Sequence, residues 1–153
     1  MVTTKGGTRT KTEEVQIYKS ILAIDVGMKT NGFAYIDVHG DVAGYFPFEG
    51  FYRYYLAVKE FVDLYKPALI IVGKPNRFYN VIAGQSKLIG IVCLIANRRK
   101  TAVVEINDTT ARAQLFPGEG SKKKEAIKLH FPDMQEDAMD ALIMARAGWK
   151  LFN

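Results

Sequence analysis

The chain is poor in the residues that support disulfide or zinc chemistry: among 153 residues there is one cysteine and two histidines. Cys93 alone excludes an intrachain disulfide and makes a reducing compartment the default. Set in Gly90-Ile-Val-Cys-Leu-Ile-Ala96, it reads as a small buried hydrophobe rather than a nucleophile. His39 and His130 are too few and too far apart for a zinc cluster. No apolar run approaches the roughly 20 residues of a membrane span, and the polar N-terminus lacks the apolar core of a signal peptide. A cytoplasmic protein with no membrane partner is expected. Acidic residues are missing as well, and locally: from Leu64 to Val104 there is none.

What is present is the composition of a globular domain, with 48% hydrophobic and 24% charged residues. The net charge is +5 and the pI near 9.3. The acid-free stretch carries Lys66, Lys74, Arg77, Lys87, Arg98, Arg99 and Lys100. A second basic group follows at Arg112, Lys122, Lys123, Lys124 and Lys128. Basic side chains in such numbers indicate a polyanionic partner, with binding that weakens steeply as salt rises. A basic soluble protein without such a partner is the plainer alternative.

Residues 1–16 are polar, with almost no apolar content, and a flexible basic arm is expected over residues 1–19, followed by one domain over 20–153. Strands are predicted over Ser20–Val26, Gly32–Asp37 and Val42–Phe48, the last two joined at His39-Gly40. A helix is predicted from Phe51 to Tyr65, with Leu56, Phe61 and Leu64 on its apolar side. Ala68–Val72 reads as a central strand covered on both faces. After a loop over 73–81 comes a helix from Ile82 to Arg98, apolar nearly all round and so buried or at a subunit interface. Thr101–Ile106 is a fifth strand, and Asn107 or Asp108 can cap a short helix to Leu115. A basic helix over Lys122–His130 precedes a final helix from about Met134 to Trp149, capped by Asp133 and Glu136. The order implies an α/β fold: a five-stranded mixed sheet, three antiparallel strands then two parallel, with helices on both faces.

Three acids stand out against this frame. Asp25 ends the first strand in Ile24-Asp25-Val26-Gly27, and Asp137 and Asp140 lie one turn apart near the start of the last helix. On that helix they share a stripe with Ala141, Met144, Ala147 and Gly148, which is not a solvated face. Carboxylates drawn together out of water repel and are poorly solvated, and a divalent cation offsets both costs. The alternatives are a helix-dipole role for the pair and an ordinary turn aspartate for Asp25. If strand one is central and the last helix crosses its end, all three acids meet. That layout suits two Mg²⁺ ions about 3.5–4 Å apart.

Asp25-Val-Gly27-Met-Lys29-Thr-Asn-Gly32 at the first strand, together with Asp137-Ala-Met-Asp140-Ala-Leu-Ile-Met-Ala at the last helix, resembles the RuvC family of Holliday-junction resolvases. The resemblance extends through the element order of residues 20–150. It implies an RNase H-like fold and a homodimer that makes paired nicks in four-way DNA junctions, and perhaps in forks and flaps, with Mg²⁺ or Mn²⁺. The chain's size and incomplete ligand set suit a phage-type member acting in a bacterial host cell. Asp25, Asp137 and Asp140 are the implied metal ligands. The family's glutamate at the end of the fourth strand is missing, where this chain reads Ile70-Ile71-Val72-Gly73-Lys74. Glu105, on the fifth strand, is two strand spacings from Asp25, about 9–10 Å. Three protein carboxylates and one weakly held metal are therefore expected. Lys74 either supplies positive charge beside the scissile phosphate or makes a plain phosphate contact. Phe78 and Tyr79 match in placement the family's junction-stacking aromatic, or else pack beneath a loop. Lys29, Lys74, Arg77, Arg112, Lys122, Lys123, Lys124 and Lys128 are the candidate DNA contacts, and the helix over 82–96 resembles the family's dimer helix.

Other functions remain open from the sequence. An RNA-processing nuclease of the same fold and a binding protein that has lost turnover both fit the charge. An actin-like ATPase would need two lobes, and 153 residues supply one.

Overall fold

The computed structural model describes residues 17–73, 79–118 and 128–153, and the side chains of all of these except 79–82. The expected arm over 1–16, Lys74, Arg77, Phe78 and Lys122 to Lys124 lie outside the described residues, as does the side chain of Tyr79.

Five strands form one mixed sheet: β1 (Ser20–Asp25), β2 (Thr30–Asp37), β3 (Gly40–Pro47), β4 (Leu69–Gly73) and β5 (Ala102–Ile106), in the order β3-β2-β1-β4-β5. β1–β2 and β2–β3 pair antiparallel, whereas β1–β4 and β4–β5 pair parallel. The two parallel junctions each need a crossover, which α1 (Phe51–Tyr65) and α2 (Tyr79–Arg98) supply. α3 (Asp108–Leu115) and α4 (Glu136–Phe152) cover the opposite face.

Strand alternation decides which side chains meet which helices. Ile21 and Ala23 of β1, Leu69 and Ile71 of β4 and Ile106 of β5 pack with Ala111 of α3 and the buried face of α4. The intervening Leu22, Ile24, Ile70 and Val72 pack with Tyr54, Val58 and Val62 of α1 and with Leu88, Val92 and Ile95 of α2. Each fully buried Ile, Leu or Val contributes about 1.5–3 kcal/mol. β1 is the centre of both layers, with Ile21 to Ile24 wholly inaccessible.

Helix α1 has the predicted bounds but a different apolar side. Tyr54, Val58 and Val62 are buried, while Leu56 and Leu64 are exposed. The stripe at i, i+4 and i+8 wins because it faces Leu22 and Ile24 across the sheet. α2 begins at Tyr79, three residues earlier than expected, so Tyr79 belongs to a helix and not to the preceding loop. Cys93 is only half-buried. Its thiol pKa is raised, first by burial and then by the charge of Glu105, which keeps it unreactive. α4 starts at Glu136 and is capped by Gln135, whose side chain accepts the Ala138 N–H. Asp133 and Glu136 do not form the expected capping box there. At the start of the chain's described part, Tyr18 is tied to the C-terminus: its N–H donates to Asn153 Oδ1 and its carbonyl accepts from Asn153 Nδ2.

Candidate functional site

The acid at the end of β1 is held by neighbours that have no side chain. Alternation from Ile21 and Ala23 puts Asp25 on the α3/α4 face. Its partner across the antiparallel pair is Gly32. A Cβ at Gly32 would collide with the Asp137 carbonyl, so the absent side chain is what lets α4 cross β2 beside Asp25. On the other flank Gly73 ends β4 level with Asp25, and a Cβ there would lie 3.4 Å from Asp25 Oδ1. The turn joining β1 and β2 is closed by buried Asn31, whose Oδ1 accepts the Gly27 N–H at 2.8 Å.

From α4, Asp137 and Asp140 approach the same end of the sheet. Gln135 both caps the helix and donates from Nε2 to Asp137 Oδ2 at 2.9 Å, holding that carboxylate in place. Asp140 Oδ1 stands 3.4 Å from Arg112 Nη2 of α3, with both side chains largely buried. Asp25 has no hydrogen-bond donor among the described residues. Its pKa is pushed up to about 8, first by burial and then by the charges of Asp108, Asp140 and Asp137, with Arg112 opposing. Asp140 is pushed up to about 6 by burial, against the nearby Arg112 and with Asp108 and Glu136 adding to the rise.

The fold brings together Asp25, Asp137, Asp140 and Arg112 as the sequence suggested, and adds two residues it did not: Asp108 and Gln135. The signal for Asp108 was present, as an acid at a helix start just past a strand end, but it reads equally as a cap. Glu105 is absent from the site because of its face. It alternates with Val104 and Ile106, so it points toward α2, where its charge acts on Cys93.

The donors around Asp25 are all carboxylate oxygens, the ligand type of hard divalent cations such as Mg²⁺ and Mn²⁺ rather than of zinc. Among the described residues no three such side chains already form a group able to hold a metal ion. They surround one space without converging on it, as like charges do in the absence of a cation.

No protein-family model matches the sequence, and no curated protein does. Solved structures do match. T. thermophilus RuvC in complex with a Holliday-junction substrate aligns over 84% of this chain and 90% of its own, with a TM-score of 0.68 at 14% identity. A second Thermus thermophilus RuvC structure aligns over 84% and 92%, with a TM-score of 0.65 at 16% identity. This chain has the RuvC fold. The Fowlpox virus resolvase, solved with Holliday-junction DNA, aligns over 86% of this chain and 97% of its own, with a TM-score of 0.56 at 15% identity.

Within this RuvC fold the basic residues divide. Lys29 is exposed in the β1–β2 turn, a few residues from Asp25, and its carbonyl accepts the Phe48 N–H. Lys128 is exposed in the helical segment ahead of α4. Lys66, Arg98, Arg99 and Lys100 instead lie where α1 and α2 end and β4 and β5 begin, a strand's length (about 17 Å) from the carboxylates. Arg99 is further engaged by Asp63 at 2.8 Å, as is Lys59 at 3.0 Å. The acid-free stretch is therefore not one surface. Among the described residues no helix is long and apolar enough to cross a membrane.

Proposed function

We propose that this chain is a structure-selective endodeoxyribonuclease that resolves four-way DNA junctions, and acts on forks or flaps, with Mg²⁺ or Mn²⁺. The observation that carries the reading is the meeting of buried Asp25 with Asp137 and Asp140 at the carboxyl ends of the parallel strands of a RuvC fold. Open α/β sheets place their ligands at that end. Asp25, Asp137 and Asp140 are the residues that would hold the cations. Bound there, Mg²⁺ or Mn²⁺ supplies Lewis-acid activation of the attacking water and stabilises the leaving oxygen.

The chain's own groups position the substrate. Gln135 fixes the Asp137 carboxylate, and Arg112, beside Asp140, is placed to pair with a phosphate oxygen. Lys29 and Lys128 extend positive charge away from the site, and Lys74, Arg77 and Lys122 to Lys124 are assigned to the DNA on sequence position. Phe78 and Tyr79 are assigned to stacking at the junction centre. A homodimer is part of the reading, with α2 as its contact; Leu94 exposed and Ile91 half-buried on the outer side of that helix support this.

The test is cleavage of a labelled four-way junction beside a fork, a linear duplex and a structured RNA, with Mg²⁺, Mn²⁺ or EDTA. Nicking of branched DNA that needs the cation is expected. Asp25→Asn and Asp140→Asn should reduce it to background while junction binding survives. Full nicking by either variant sinks the assignment. Preferential cutting of RNA would make the chain an RNA-processing relative, and binding without any cleavage would make it a junction-binding protein.

A further inference from the structure

On the α3/α4 face the last residues of three parallel strands stand in one row. Ile24 pairs with Val72 and Gly73 with Ile106, so Asp25, Gly73 and Ile106 are level. The middle member has no side chain, and the direction its Cβ would take meets Asp25 Oδ1 and the Met144 thioether at van der Waals distance. An opening is left between Asp25 and the end of β5. Two residues past Ile106 the chain enters α3, and Asp108 is its first residue.

The orientation of α3 follows from its other residues. Ala111 is fully buried in the core shared with α4, and Arg112 reaches Asp140. Asp108 precedes Arg112 by one turn, so it lies on the same face of α3. The electrostatics agree. Asp108 acts on Asp25 more strongly than Asp140 or Asp137 does, and it raises Asp140 as well. A cap is not needed from it, because Asn107 already accepts the Thr110 N–H at 2.9 Å. An acid set against two others raises the repulsion there unless a cation joins them.

We propose that Asp108 is a fourth carboxylate of this centre, holding a divalent cation with Asp25 and Asp140 across the opening at Gly73. This assignment rests on the metal-dependent reading above. It moves one ligand from a strand end to the first turn of the next helix. Asp137, fixed by Gln135, then serves the opposite side of Asp25.

The experiment is Mn²⁺ binding to the full chain, followed by the loss of the free Mn²⁺ resonance in electron paramagnetic spectra. Thermal melting in EDTA is recorded alongside. Asp108→Asn should weaken Mn²⁺ binding at least about tenfold, since even outer partners of a ligand cost 10–100-fold. Its melting temperature in EDTA should hold or rise as repulsion is relieved. Gly73→Glu added to Asp108→Asn should recover binding, because it returns a carboxylate to the same opening. Unchanged Mn²⁺ binding with a lower melting temperature would make Asp108 a helix-dipole residue and overturn the proposal. A double variant that melts normally yet recovers nothing would overturn the placement at Gly73. Equal Mn²⁺ binding by wild type and Asp25→Asn would instead sink the metal reading itself, and this proposal with it.

Discussion

The two faces of the sheet use the same strands and the same hydrocarbon, yet only one admits charge. Against α1 and α2 the buried side chains are Leu22, Ile24, Ile70 and Val72, packed on Tyr54, Val58 and Val62 and joined by stacked rings such as Phe33–Phe61 and Tyr35–Tyr65. Against α3 and α4 the same kind of core runs from Ile21 to Ala23 and then ends in Asp25. A side-chain period of two means that neighbours in sequence live in different solvents. The lesson is that chemistry here is assigned by parity along β1, and the acid needs glycines on both flanks to reach its companions.

The largest expected effect comes from moving the acid by one residue. Ile24→Asp places a carboxyl in the α1/α2 core, where Ile24 is wholly buried, and should cost about 5 kcal/mol or leave the chain unfolded. Urea denaturation checks this; a loss under about 1 kcal/mol would mean the two faces are not as different as described.

Gly32→Ala comes next. Its new methyl group meets the Asp137 backbone and not a flexible side chain, so about 2–3 kcal/mol should be lost as α4 is pushed from β2. On the other face Gly90→Ala of α2 meets nothing within 4 Å and should gain up to about 1 kcal/mol from helix propensity. Equal melting shifts for the two would erase the contrast.

A smaller effect separates the faces by pH. Folded Asp25 keeps its proton up to about pH 8, whereas its model value is 3.8. The folded state thus binds more protons than the unfolded state between those values, and stability falls as pH rises through that window. Asp140, raised to about 6, adds to the fall over the lower part of it. Asparagine cannot ionise, so Asp25→Asn in EDTA should be more stable than wild type by about 1–3 kcal/mol at pH 8 and nearly equal at pH 4. Denaturation curves at the two pH values decide it, and parallel behaviour would show Asp25 to be well solvated.

The smallest effect is the most discriminating. Glu105→Gln, on the α2 face, should leave both stability (within about 0.5 kcal/mol) and junction nicking unchanged. A fall in nicking would place Glu105 in the site against its strand parity.

Much of this fold was legible because its local signals are strong. The unbroken apolar run Ala68–Val72 announces a central strand, and α1 has the predicted bounds because Pro67 and the periodic pattern stop it. Its buried side was misread because Leu56 and Leu64 are as apolar as Val58 and Val62, and only the sheet beneath chooses between them. The cap of α4 was misread for a similar reason. Asp133 and Gln135 are both competent acceptors, and the turn over 131–134 leaves the latter at the helix start. Asp25, Asp137 and Asp140 were legible as acids set among apolar residues. Gln135 and Asp108 were not, because each has an ordinary local role at a helix end.

By itself the sequence determined the elements and their order, an acid at the end of β1 and a paired acid at the start of α4. Those are local facts, carried by periodicity and by residue type. Only the tertiary structure decided which acids share a space. It turned Glu105 away, brought Arg112 to Asp140 and Asp108 to Asp25, and sent half of the acid-free basic stretch to the far end of the sheet. Strand neighbours and helix crossings join residues far apart in sequence, and those contacts are set by how the two cores close, which no local pattern encodes.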